Sequence, residues 1–226
     1  MPRYLYYHNY HYFFKEIPVC LKGQITYNND DMIEQIEIKR KIFDVIEPIG
    51  ERTKKVTRKN KIYFLKDFGN DVSGFEKFVD SAHKLSVSGI VSPRIYVYDK
   101  HTHIVATEFI EGPTILDVLL EKDLPEEYFP LIFTDNWYMK NDNILLSFDP
   151  KNYKYHNGKL YYIPQLFDKY DEKKTFEKVG IWYWFYCREF VKYLEANNLP
   201  VDPQRANINQ ATINKRIALT VVKFYR

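Results

Sequence analysis

The sequence predicts an α+β fold in two parts, a strand-rich N-terminal one and a mostly helical C-terminal one. Three observations carry that prediction. Short β-rich runs fill residues 42–68 and 94–110 on either side of a single amphipathic helix; Glu111-Gly112-Pro113 breaks this pattern; and beyond it apolar residues recur at three- and four-residue spacing. With 226 residues, 45% hydrophobic and 28% charged, the chain can bury a sizeable core and has an ordinary globular composition. Its net charge of +3 is too small to argue for nucleic acid as a partner. Cys20 and Cys187 have neither the number nor the spacing of a disulfide framework or zinc site, which points to a reducing compartment. No apolar run approaches the ~18 residues that span a bilayer. The start, MPRYLYYHNYHYFFKE, lacks the aliphatic core of a secretory signal. The expectation is a cytoplasmic protein without a transmembrane segment.

Taken in order, residues 1–40 read as an aromatic N-terminal extension packed on the first part, with His8 and His11 on a strand surface. From Lys41, the runs IFDVIEPIG, KKVTRKN and KIYFLKDF are separated by Gly50 and by the turn at Lys59-Asn60, and predict an antiparallel meander. A helix is expected over Ser73 to Ser88. Ser73 and Glu76 have the spacing of a capping box, Phe75, Val79, Ala82 and Leu85 follow helical spacing, and Gly89 stands at the end. RIYVYD and HIVATEFI add two strands, so the first part is a five-stranded antiparallel sheet with one helix, residues 41–112.

The second part, residues 113–226, opens with a helix led by Thr114. A long helix follows from Pro125 to Leu146, with Glu126 and Glu127 suiting the positive end of its dipole. A turn-rich loop holds Ser147, Asp149, Pro150 and Asn152, and a hairpin leads into the strand Lys159 to Ile163. After a charged loop over Asp168 to Lys174, the spacing of Phe176, Val179, Tyr183, Tyr186, Phe190 and Leu194 predicts a helix from Thr175 to Ala196. A last helix, capped by Asn207 or Asn209, runs through Ile213, Ile217, Val221 and Phe224.

Five strands with one helix after the third, a short hinge, and a helical part entered by a long helix that delivers a polar loop: this layout resembles the protein-kinase-like superfamily. The likeness is to its compact form, as in aminoglycoside phosphotransferases, Rio-type kinases and lipopolysaccharide core sugar kinases, and it covers about residue 43 to the C-terminus. The resemblance implies a bilobal kinase-like fold and ATP as cofactor. Lys66 in KIYFLKDF matches the strand lysine that holds the nucleotide phosphates. Glu76, or Asp80 one turn later, is the implied partner of that lysine. The linker ATEFIEG, with Glu108 to Glu111, matches the hinge that meets adenine. The first hairpin departs from the family's glycine loop: only Gly50 is present, and Lys54, Lys55, Arg58 and Lys59 are either phosphate contacts or ordinary solvated charges.

Against the small-molecule kinase pattern H-x-D-x-x-P-x-N, Pro150 and Asn152 fit the Pro and Asn. Leu145 stands in the His position, Ser147 in the catalytic Asp position, and Pro164 where a strand-end Asp would bind Mg²⁺. Serine is no general base near neutral pH without a basic neighbour, and proline has no side-chain ligand atom. Asn152 alone is a poor site for a cation that usually takes carboxylates. Three functional readings follow. The first is a pseudokinase-like regulatory or binding module, with a protein partner and with nucleotide held through Lys66. The second is an active, divergent phosphotransferase acting on a sugar, lipid-linked sugar or other small hydroxyl acceptor, with Asp149 as base and Asp168 or Asp171 joining Asn152 at the metal. The third is an interaction protein that is kinase-like in architecture only. Asp135, inside the long helix, is a remoter candidate acid.

Overall fold

The computed structural model describes residues 33–225. The part of the expected aromatic N-terminal extension that holds His8, His11 and Cys20 lies outside them. The described chain is α+β, with a six-stranded antiparallel sheet and five α-helices among these residues.

The sheet is built from β1 (Gln35–Ile38), β2 (Lys41–Gly50), β3 (Thr53–Arg58), β4 (Lys61–Asp67), β5 (Ile95–Asp99) and β6 (Ile104–Glu108), in the order β1-β2-β3-β4-β6-β5. Five of these are the expected strands. The sixth, β1, corrects the prediction: residues 35–38 belong to the sheet and not to an extension. Two of its hairpins turn on a pair of residues with positive φ, Lys39-Arg40 and Lys59-Asn60. Such two-residue turns match the right-handed twist of the strands they join. The sheet curls so that β1 approaches β5, where Lys39 and Lys41 lie over the rings of Tyr98 and Tyr96 at 4.9 and 4.2 Å. Its inner face buries Ile38, Phe43, Val56, Tyr63 and Leu65.

Helix α1 (Val72–Ser88) covers the other face with Phe75 and Phe78, against Phe68 and Val105. Its cap is Asp71, whose carboxylate accepts a hydrogen bond from Gly74 N at 2.9 Å, and not the predicted Ser73. An aspartate at this position satisfies an orphan donor and opposes the helix dipole. Gly89 closes the helix at φ 89°, a left-handed conformation that suits glycine. It also leaves room for Tyr138: a Cβ here would stand 2.9 Å from that ring.

Helices α2 (Ile115–Glu121) and α3 (Tyr128–Asn141) follow. Thr114 and Asp117 form a reciprocal capping box on α2. The long helix expected to reach Leu146 ends at Asn141, because Asn141-Asp142-Asn143 offers competing side-chain acceptors and Asn143 takes positive φ. Ile144–Leu145 then forms the short strand β7. A 3₁₀ turn at Pro150–Asn152 leads to the hairpin β8 (Tyr153–His156) and β9 (Lys159–Tyr162), and β10 (Asp168–Lys169) returns to pair with β7.

The helix expected over 175–196 is corrected most. Only α4 (Arg188–Ala196) is α-helical, and residues 175–187 wrap as turns with a 3₁₀ segment, Gly180–Tyr183. Gly180 is pressed between Phe148 and Phe176, where a Cβ would stand 2.6 and 2.7 Å away. The aromatic run after it buries Trp184 and Tyr186 in the core that α2, α3 and β7 share. Trp184 Nε1 donates to the Phe148 carbonyl at 3.0 Å. Core packing overrides a spacing that alone reads as helix. Helix α5 (Ile208–Tyr225) ends the described chain as expected. No helix among the described residues is long and apolar enough to cross a membrane.

Candidate functional site

Lys66 projects from β4 on the face that α1 covers, since its neighbours Tyr63 and Leu65 belong to the opposite, inner face. Its ammonium lies 4.8 Å from the Phe68 ring centre and 5.2 Å from that of Phe78. Burial lowers its pKa from the usual lysine value, and the charge of Asp71 offsets this in part. The implied pair with Glu76 does not form: among the described residues no carboxylate is within ion-pair distance of Lys66. The reason lies in the helix. Phe75 and Phe78 take the sheet-facing positions of α1, which leaves Glu76 and Asp80 exposed on its solvent side.

The charges of the first hairpin have local partners. Lys54 pairs with Glu34, Lys55 with Glu47 at 3.0 Å, and Arg58 donates to the Tyr96 hydroxyl at 2.9 Å.

The linker after β6 is engaged by a residue the sequence gave no reason to single out. Lys154 of β8 reaches across to donate to the Ile110 carbonyl at 3.1 Å, while its ammonium stands 5.7 Å from the Phe109 ring centre. Lys55 approaches the same ring at 5.1 Å. Burial lowers the Lys154 pKa, and Asp117 opposes the shift. A backbone pairing between Thr114 and Lys154 fixes β8 against the linker. Glu108, expected to line this cleft, is exposed, and its N–H donates to the Arg94 carbonyl at 2.8 Å. A lysine between aromatic residues in a hairpin was the only local signal of this arrangement.

The loop 146–152 and the segment 163–168 lie side by side. Tyr162 ties them: its hydroxyl donates to the Leu166 carbonyl at 2.7 Å and stands 3.5 Å from Ser147 N. Ile163 N donates to the Asn152 carbonyl at 2.8 Å, and Asp168 lies opposite Leu145 in the β7–β10 ladder. Burial pushes the Tyr162 phenol up to about 12; the Ser147 N–H lowers it and Asp168 raises it.

In this loop the Asp149 side chain is committed to structure. Asp149 caps the 3₁₀ turn by accepting from Lys151 N at 3.1 Å, pairs with Lys151 Nζ at 3.0 Å, and accepts from the Tyr193 hydroxyl at 2.8 Å. Burial, and then this bond to Asp149, raise the Tyr193 phenol well above its ordinary value. Ser147 is exposed, Asp168 is exposed, and Asp171 accepts from Lys173 N at 2.9 Å in a local turn. Among the described residues no three His, Cys, Asp or Glu side chains gather into a metal-holding group. Asn152 and Asp168, the donors implied for Mg²⁺, stand on the 3₁₀ turn and on β10.

Asp135 is the buried acid of the helical part. It is 5% exposed, its Oδ2 has no hydrogen-bond partner among the described residues, and burial pushes its pKa up to about 8. Its charge adds to the burial that raises the phenol of Tyr153, whose hydroxyl is likewise buried without a partner among the described residues. A comparison with protein-family models and a comparison with curated proteins return no match for this sequence.

Proposed function

We propose that the chain is a kinase-like binding or regulatory module that does not transfer phosphate. The single observation that carries this reading is the chemistry of loop 146–152: Ser147 stands in the base position, and the nearest acid, Asp149, is held by Tyr193 and Lys151. An active phosphotransferase would have to break these bonds to free a base, and would still have Pro164 at the metal position. Support for a bilobal kinase-like architecture comes from the five strands β2 to β6 with one helix after the third of them. The linker at 109–113, the helix α3, and the loop and hairpin that follow it add to that support.

Lys154 favours a second reading, an interaction protein whose cleft is filled by its own side chains. Its ammonium occupies the linker carbonyl that would face a base, and Lys66 rests on phenylalanine rings. Calorimetric titration with adenosine and with ATP, each with and without Mg²⁺, separates the readings. The binding-module reading expects ATP affinity that is independent of Mg²⁺ and lost in Lys66→Ala. It also expects Lys154→Met, which frees the Ile110 carbonyl, to bind adenosine more tightly than the unsubstituted chain. Absence of any nucleotide affinity, in Lys154→Met as well, favours the interaction protein. ATP affinity that requires Mg²⁺ and is accompanied by turnover contradicts both.

A further inference from the structure

Helix α5 carries an apolar stripe that faces outward. Ile213, Ile217 and Phe224, four and seven residues apart, are 49%, 46% and 75% exposed, while the residues buried beneath the helix are Asn214 and Ala218. At 100° per residue these three side chains share one face, and Arg216 and Lys223 flank it on the side away from the core. The opposite flank opens into a groove of about 390 Å³ between α5 and the loop that joins α2 to α3, lined by Phe129, Phe185 and Val221 and rimmed by Asp123 and Glu126.

The charges on the two sides of this surface are opposite. Helix α5 holds Lys215, Arg216 and Lys223 and no acid, whereas residues 121–127 hold Glu121, Asp123, Glu126 and Glu127 against Lys122. Lys215 pairs with Glu189, and Asp123 with Arg205. Among the described residues Arg216, Lys223, Glu126 and Glu127 make no ion pair. One surface thus presents an apolar ridge, a groove beside it, a basic flank and an acidic rim.

We propose that this face binds a second copy of the chain. A two-fold axis running along α5 sets the two helices parallel, stripe against stripe. The operation turns the basic flank of each α5 toward the acidic loop 121–127 of the other, twice over, as a closed isologous contact requires. Burying Ile217 and Phe224 supplies the apolar centre of the interface, and the charges fix its register.

The test is the mass of the 226-residue chain in solution by sedimentation equilibrium. The expected result is a dimer that Phe224→Asp and Ile217→Asp each weaken at least about tenfold, with Trp137→Asp, on exposed α3 surface outside the groove, leaving it unchanged. Glu126→Lys with Glu127→Lys is expected to weaken the dimer, and adding Arg216→Glu with Lys223→Glu to restore it. All sites are exposed, and circular dichroism confirms folding of each variant. A monomeric unsubstituted chain overturns the proposal, as does a dimer indifferent to Phe224→Asp and to the charge reversal. Association of a monomer with vesicles of anionic lipid through Arg216 and Lys223 also overturns it.

Discussion

A carboxyl with a buried oxygen that lacks a hydrogen-bond partner, as Asp135 Oδ2 does among the described residues, costs stability whenever it ionises. Its folded pKa, about 8, lies above the ordinary aspartate value it has in the unfolded chain, so the folded state holds the extra proton. The stability this contributes is full below about pH 4 and is lost as pH rises toward 8, with a slope of at most ~1.4 kcal/mol per pH unit. Asp135→Asn keeps the shape and removes the proton. Thermal unfolding of the two proteins at pH 5 and pH 8 is expected to show the variant gaining stability relative to the parent at the higher pH; equal gains at both values would refute this account of Asp135. Tyr162 makes a second residue-scale claim. If its hydroxyl joins loop 146–152 to segment 163–168, Tyr162→Phe should cost about 1 kcal/mol and speed amide exchange at Ser147 and Asp168, leaving β2 to β4 unaffected. Lys154 was beyond reach of the sequence for a physical reason: its partner Ile110 is 44 residues away, and the aromatic residues beside the lysine do not say which carbonyl it reaches.

At the scale of elements, the strands were legible because period-two patterning and turn residues agree. Strand β1 was missed because QIEI is only four residues at the sheet edge and runs into the Lys39-Arg40 turn, so its alternation merges into one charged stretch. The helix overread at 175–187 shows the converse. Phe176, Val179 and Tyr183 have helical spacing, yet Gly180 admits two phenylalanine rings and the chain wraps to bury Trp184. In α5 the spacing of Ile213, Ile217 and Phe224 predicted the helix correctly, but spacing does not reveal which apolar stripe finds a core. Gly89 gives an element-scale prediction. Gly89→Ala forces a side chain into the left-handed region and against the Tyr138 ring, at the junction where α1 meets the helical part. The expected loss is about 1–3 kcal/mol, read as a lowered denaturant midpoint with little change in slope.

For the molecule as a whole, the order of elements and the chemistry of the loop point in different directions. Five strands, a helix after the third, a linker and a loop behind a long helix were foreseen from Lys41 onward and are found in the α+β fold. Ser147 and Pro164 were equally visible in the sequence, and the ties of Asp149 to Tyr193 and Lys151 add what no spacing conveys. The function proposed above combines a kinase-like frame with a loop whose acid, Asp149, is held in structural bonds. The most direct test is release or transfer of the γ-phosphate of ATP by the purified chain, with Mg²⁺ or Mn²⁺, compared with Lys66→Ala. The expected result is a rate no greater than that of the protein-free reaction and identical for both proteins. Sustained turnover that Lys66→Ala abolishes would contradict the account.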